Sequence, residues 1–136
     1  MPLDRDVLNM GAREIRESLG ELLRLTSRSY SELSVDEKYS IRYNVIVLVE
    51  ALVALCIHLA RELYGYMPRS YSDAVRYSCS RLGLRCVDDL VALVRLRNLL
   101  IHRYWVIDDH MVYQSIKGDF RCLEEFLRVL KEGFAQ

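Results

Sequence analysis

The chain has 136 residues, 51% of them apolar, and its 19 Lys and Arg balance its 19 Asp and Glu to a formal net charge of zero. That length suits one domain over residues 1–136 with a real core, and the composition excludes a disordered chain or a basic tail. Zero net charge also argues against strong non-specific nucleic-acid binding, which phosphate neutralisation drives. The apolar pattern is helical throughout. Asp4 or Asp6 caps a first helix that reaches about Ser27 and carries Ile15, Leu19, Leu22, Leu23 and Leu25 at helical spacing. Residues 27–34 are polar and read as a loop. Ser34, with Glu37 three residues on, is a capping-box pattern and opens a long second helix to about Tyr64. From Val45 to Leu59 this helix is apolar nearly all round, which places it at the centre of a bundle.

Gly65 and Pro68 stop the second helix. Ser70 or Ser72 caps a short third helix to about Leu82, and Gly83 breaks it. A fourth begins near Val87 and brings Leu90, Val91, Leu93, Val94 and Leu96 up to the segment from Arg97 to Tyr104. Asp108 and Asp109 stand where they cap a fifth helix through Tyr113, Ile116, Phe120, Leu123, Phe126, Leu127 and Leu130. Gly118 lies within it, costs about 1 kcal/mol relative to Ala and permits a kink. The expected fold is all-α: an up-and-down bundle of about five helices with short loops and no strand.

The chain shows neither a leader nor a membrane span. Met1 to Asp6 is polar with no apolar core behind it. Val45 to Ala60 contains Glu50 and His58 and falls short of the roughly 20 residues that cross a bilayer. Cys56, Cys79, Cys86 and Cys122 form no CxxC pair and no zinc-type cluster with histidine, so no metal site is expected. All four read as reduced structural residues, which suits the cytoplasm. His58, on the apolar helix, reads as a satisfied core or end residue, and His110 as an exposed first-turn residue. Trp105 and the nine tyrosines read mostly as core or interface.

Charge is uneven along the chain. Between Arg61 and Arg103 eight arginines face four acids, Glu62, Asp73, Asp88 and Asp89. Within this positive third lies the segment Arg97-Asn98-Leu99-Leu100-Ile101-His102-Arg103-Tyr104. Arg carries a permanent planar fork that matches phosphate. His moves protons near neutral pH. The pair is sufficient equipment for cleaving RNA without a metal cofactor. On an ideal helix residues five apart point about 140° apart, so Arg97 and His102 do not share a face, whereas Asn98 and His102 do.

The spacing Arg97, four residues, His102, one residue, Tyr104, with Asn98 directly after the arginine, resembles the signature of HepT-type toxins of the HEPN superfamily, small helical ribonucleases of prokaryotic toxin–antitoxin pairs. The segment Pro68 to Asp73, the pairs Ile107-Asp108 and Val112-Tyr113, and the long second helix with Tyr43 and Glu50 on one face resemble it too. The resemblance implies a HEPN-like two-fold dimer whose two motifs line one cleft, completing a site that one helix cannot assemble. It implies an endoribonuclease in which His102 is general base or acid, Arg97 stabilises charge on phosphorus and Asn98 orients His102 or holds a phosphate oxygen. The 2′-hydroxyl attack leaves a 2′,3′-cyclic phosphate. It also implies an MntA-like minimal nucleotidyltransferase antitoxin that attaches AMP to Tyr104. The alternatives are an inactive HEPN module that partners a nucleotidyltransferase or binds nucleotides, and a helical oligomer in which the motif is structural.

Overall fold

Six α-helices and no strand are found among the described residues, which are 3–117 and 120–134 of this computed structural model, the side chain of Tyr104 excepted. They are α1 (Arg5–Thr26), α2 (Val35–Tyr64), α3 (Tyr71–Arg81), α4 (Val87–His102), α5 (Asp109–Ile116) and α6 (Arg121–Gly133). Single 3-10 turns occupy Tyr30–Glu32 and Tyr104–Val106. Side chains named by the sequence close several N-termini. Asp4 accepts from the backbone N–H groups of Asp6 and Val7, Ser70 from that of Asp73 and Asp108 from that of His110. Ser34 and Glu37 satisfy each other's backbone N–H groups in a capping box. Gly65 ends α2 at φ 63°, a left-handed conformation that glycine adopts without a Cβ penalty.

α2 is the central element. Val45, Leu48, Val49, Leu52, Leu55 and Leu59 are all buried, beneath α1 on one side and α3 and α4 on others. Among the described residues it is the helix with the length and apolarity of a membrane span, and it places its apolar surface against its neighbours as a bundle core does. α1 runs back along it, with the Asp4 N–H donating to His58 Nε2 at 3.1 Å. α3 runs in the same sense as α2, because residues 65–70 carry the chain back along the bundle before it restarts. Tyr71 meets Glu50, Ser78 meets the carbonyl of Cys56, and Arg81 reaches Tyr64. α4 then returns antiparallel to α3, with Arg76 on Asp88 at one end and Arg97 on Tyr71 at the other.

Three expectations need correction. The single fifth helix is two. The chain leaves helical geometry at Lys117, where ψ is 125°, and restarts after Phe120. The break lets two short apolar faces choose different neighbours. α5 ties to α2 through Arg42 and Asp109 and buries Tyr113, whose hydroxyl donates to the carbonyls of Thr26 and Arg28. α6 buries Leu123, Phe126 and Leu130 and packs on α4. Gly118, at which the sequence permits a kink, lies outside the described residues. Leu23, expected on the buried stripe of α1, is exposed, while Ile15, Leu19, Leu22 and Leu25 are buried. The four cysteines are not all reduced: Cys86 and Cys122 form a disulfide. The first turns of α4 and α6 lie side by side and bring their Cα atoms to 5.8 Å, well inside bridging distance. Cys56 and Cys79 remain free and buried, in mutual contact at 3.8 Å. That contact and full burial push the Cys56 thiol up, which keeps it protonated and inert.

α1 and α2 approach closely at Gly11. A Cβ there would lie 2.7 Å from both Cγ and Cδ2 of Leu55, which is fully packed, whereas Gly20 faces open space. Gly20→Ala is expected to raise unfolding free energy by about 0.5–1 kcal/mol through helix propensity. Gly11→Ala is expected to lower it by about 1 kcal/mol, because overpacking outweighs the same gain. Urea unfolding of the two variants checks both signs, and stabilisation by Gly11→Ala would refute the close approach.

Candidate active site

Glu50 interrupts the apolar run of α2 and stands half-way along that helix, facing α4. A carboxylate so placed requires a cation partner. Arg97, on the last third of α4, supplies it. Arg97 Nε lies 2.7 Å from Glu50 Oε2, and the arginine side chain keeps only 15% of its exposure while the glutamate keeps 42%. The N–H is not aligned on that oxygen, so the contact is an ion pair, and neither buried atom has a hydrogen bond among the described residues. Arg97 Nη1 donates to Asn98 Oδ1 at 2.9 Å. The guanidinium carbon sits 4.7 Å from the ring centre of Tyr71, and Tyr71 donates its hydroxyl to Glu50 Oε1 at 3.2 Å. Three helices therefore position one guanidinium: α2 by charge, α3 by an aromatic face and α4 through the Asn98 side chain.

His102 is the last residue of α4 and is exposed. No hydrogen bond or ring contact joins it to Arg97 among the described residues, as the 140° offset requires, and none joins it to Asn98, although the two share a helix face. The structure thus brings Arg97 and Asn98 together and leaves His102 one and a half turns further on, at the open end of the helix. Tyr104 follows in a 3-10 turn with exposed neighbours Arg103 and Trp105, and its side chain lies outside the described residues. Tyr43 is exposed on α2, two turns before Glu50. His58 accepts a hydrogen bond at the end of the bundle, and exposed His110 stacks on Tyr30 with ring centres 4.5 Å apart. Both are accounted for structurally. Among the described residues no group of three or more His, Cys, Asp and Glu is placed to hold a metal ion.

Two contributors were missed in the sequence as partners of Arg97: Glu50, noted there for its face and as an acid within the apolar run, and Tyr71. Glu50 carried a usable signal, because a lone acid inside a long apolar helix demands a buried partner. Tyr71 carried none, since its position depends on the return of residues 65–70.

Comparison with known families matches residues 15–130 to the family described as Ribonuclease HepT-like. The matched span includes Glu50, Tyr71, Arg97, Asn98, His102 and Tyr104. No curated protein matches the chain.

Glu50→Gln is expected to cost about 1–2 kcal/mol of unfolding free energy, below the 3–5 kcal/mol typical of breaking a fully buried pair, because the Glu50 carboxylate is partly wet. Tyr71→Phe, which keeps the ring and loses the hydroxyl, is expected to cost about 0.5–1.5 kcal/mol. Because both changes act on one cluster, the double variant should lose less than the two losses added. Strict additivity in urea unfolding would show that the contacts are independent.

Proposed function

The chain belongs to the HepT-like ribonuclease family, and we propose that it is a metal-independent endoribonuclease working as the toxin of a toxin–antitoxin pair in the cytoplasm. The observation that carries this reading is a guanidinium held in place by Glu50, Asn98 and Tyr71 on the same helix that ends in an exposed histidine. One protomer offers the two groups on different faces. A two-fold dimer with two copies of the motif along one cleft brings the Arg97 of one copy and the His102 of the other to a single phosphate.

In that cleft one His102 removes the proton of a ribose 2′-hydroxyl as its oxygen attacks phosphorus. The bond from phosphorus to the 5′-oxygen breaks, and the second His102 protonates that oxygen. The products are a 2′,3′-cyclic phosphate and a 5′-hydroxyl. Arg97 stabilises the charge that builds on the phosphoryl oxygens, the kind of preorganised contribution that is often the largest in catalysis. Among the described residues Asn98 takes one N–H of Nη1, and the remaining Nη N–H groups are the ones a phosphate oxygen would meet. Asn98 fixes the plane of the guanidinium, and it shares a helix face with His102. The antitoxin in this reading is an MntA-like minimal nucleotidyltransferase that attaches AMP to Tyr104. The added phosphate carries a negative charge that competes with RNA for Arg97.

The purified protein is expected to cleave pooled RNA in the presence of EDTA and to leave cyclic-phosphate ends. His102→Ala and Arg97→Ala should each slow cleavage by about 10²–10⁴-fold. An all-deoxy strand, which lacks the attacking hydroxyl, should survive. Mass spectrometry of Tyr104 establishes that the protein assayed carries no AMP. Silence from such protein would support the alternative, a binding module that partners a nucleotidyltransferase, and cleavage of DNA would refute the 2′-hydroxyl mechanism.

A further inference from the structure

The end of α3 opposite Tyr71 carries a second cluster that the cleavage chemistry does not use. Tyr66 and Tyr77 stack with ring centres 3.7 Å apart and planes 5° from parallel. Arg81 lays its guanidinium 3.6 Å from the centre of Tyr77 and 5.4 Å from that of Tyr64. Tyr64 stands edge-on to Tyr77 at 5.8 Å and is 48% exposed. The stack is fixed from below: Tyr66 donates its hydroxyl to Asp73 Oδ2 at 2.8 Å, and the Arg69 N–H donates to the same oxygen at 2.9 Å.

The charge around it is unbalanced. Arg81 is exposed and has only a long bond to the carbonyl of Tyr77, at 3.4 Å. Arg61, one turn before Tyr64 on α2, and Arg85, four residues past Arg81, are exposed too and form no ion pair with a carboxylate among the described residues. Arg69 instead lies at the Tyr71 end, within the field of the Asp73 carboxylate. Arg76 is paired, with Asp88, and the Asp73 carboxylate is occupied by Tyr66 and the Arg69 backbone. A cluster serving only to pin the α2–α3 connection has no need of three arginines without an ion pair, Arg61, Arg81 and Arg85, in a chain of zero net charge. Flat aromatic and guanidinium surfaces with free cations beside them are what unpaired bases and their phosphates recognise.

From the stacked Tyr64, Tyr66, Tyr77 and Arg81 with the unpaired arginines beside them, we infer that this end of α3 is a binding site for single-stranded RNA, separate from the cleavage site. The inference rests on the ribonuclease reading for its substrate and adds a hold on the strand. Tyr71 and Arg81 are ten residues apart, about 15 Å along the helix, so α3 spans from the arginine at the cleavage site to the platform. A strand held there is presented to the cleft from outside it, and overall net charge is no guide to affinity.

The test measures binding alone, so it stands whether or not the wild type cleaves. Fluorescence anisotropy of a labelled oligouridylate is followed in the His102→Ala background, with Arg81→Gln, Arg81→Lys, Tyr64→Ala and Arg61→Gln added singly. Arg81→Gln and Tyr64→Ala should each weaken binding about tenfold. Arg81→Gln and Arg61→Gln should each flatten the salt dependence by about one unit in the log–log slope, and Arg81→Lys should weaken binding yet keep the slope. Thermal unfolding identifies any variant that fails to fold. Exposed Tyr64 and Arg61 decide the matter if Arg81 proves necessary for folding. Unchanged affinity and slope in Tyr64→Ala and Arg61→Gln would overturn the site. An equal loss on a duplex oligonucleotide would overturn the stacking of unpaired bases.

Discussion

A carboxylate in the middle of the most apolar helix is the constraint on which the site depends. α2 buries nearly every residue around Glu50, and a lone acid there would carry a heavy desolvation penalty. The penalty is relieved by recruiting Arg97 from α4 and the hydroxyl of Tyr71 from α3. Burial of the arginine is in turn tolerable because its charge is paired and its face covers an aromatic ring. Removing any one of the three leaves the others poorly satisfied. The angle and depth of α4 against α2 are therefore set by charge as well as by the packing of Leu90, Val91 and Val94.

This arrangement requires α3 to start beside the middle of α2, which is the task of residues 65–70. Gly65 turns the chain in a left-handed conformation, and the Asp73 carboxylate then gathers the Tyr66 hydroxyl and the Arg69 N–H. A direct hairpin would have placed the third helix antiparallel to α2 and the start of α3 far from Glu50. Because α3 instead runs in the same sense as α2, one short helix touches Arg97 with its first residue and carries the Tyr–Arg stack at its far end.

Local signals were the legible part. Asp4, Ser34, Ser70 and Asp108 bond to backbone N–H groups within three residues, so caps announce themselves in sequence, and Gly65 and Gly83 both take positive φ where helices stop. The apolar spacing that made α5 and α6 look like one helix is equally local. It records which residues are buried and not which neighbour buries each, so a break with both halves buried is invisible to it. Of the site, the motif was marked by its resemblance to the HepT-type signature, and the offset between Arg97 and His102 followed from helix spacing. The partners of Arg97 did not, nor did the disulfide, whose cysteines are 36 residues apart and meet through the packing of α4 and α6. With that bond present, the cysteines no longer argue for a reducing compartment.

The bracing of α4 has a direction. Its first turn is tied covalently to α6 through Cys86 and Cys122, and its middle is buried through Leu90, Val91 and Val94. Further on, Arg97 is held by Glu50, Asn98 and Tyr71. Past Leu100, which is buried, the helix emerges: Ile101, His102 and Arg103 are exposed, and the 3-10 turn that contains Tyr104 follows. Rigidity therefore falls away at the end of the helix, where the motif presents its histidine. A proton-transfer group benefits from such a place, since it must meet a large substrate, yet it remains anchored within two turns of a fixed guanidinium. Under the proposed function, catalysis and its inhibition thus draw on one physical property, a helix clamped along its length and open at its end.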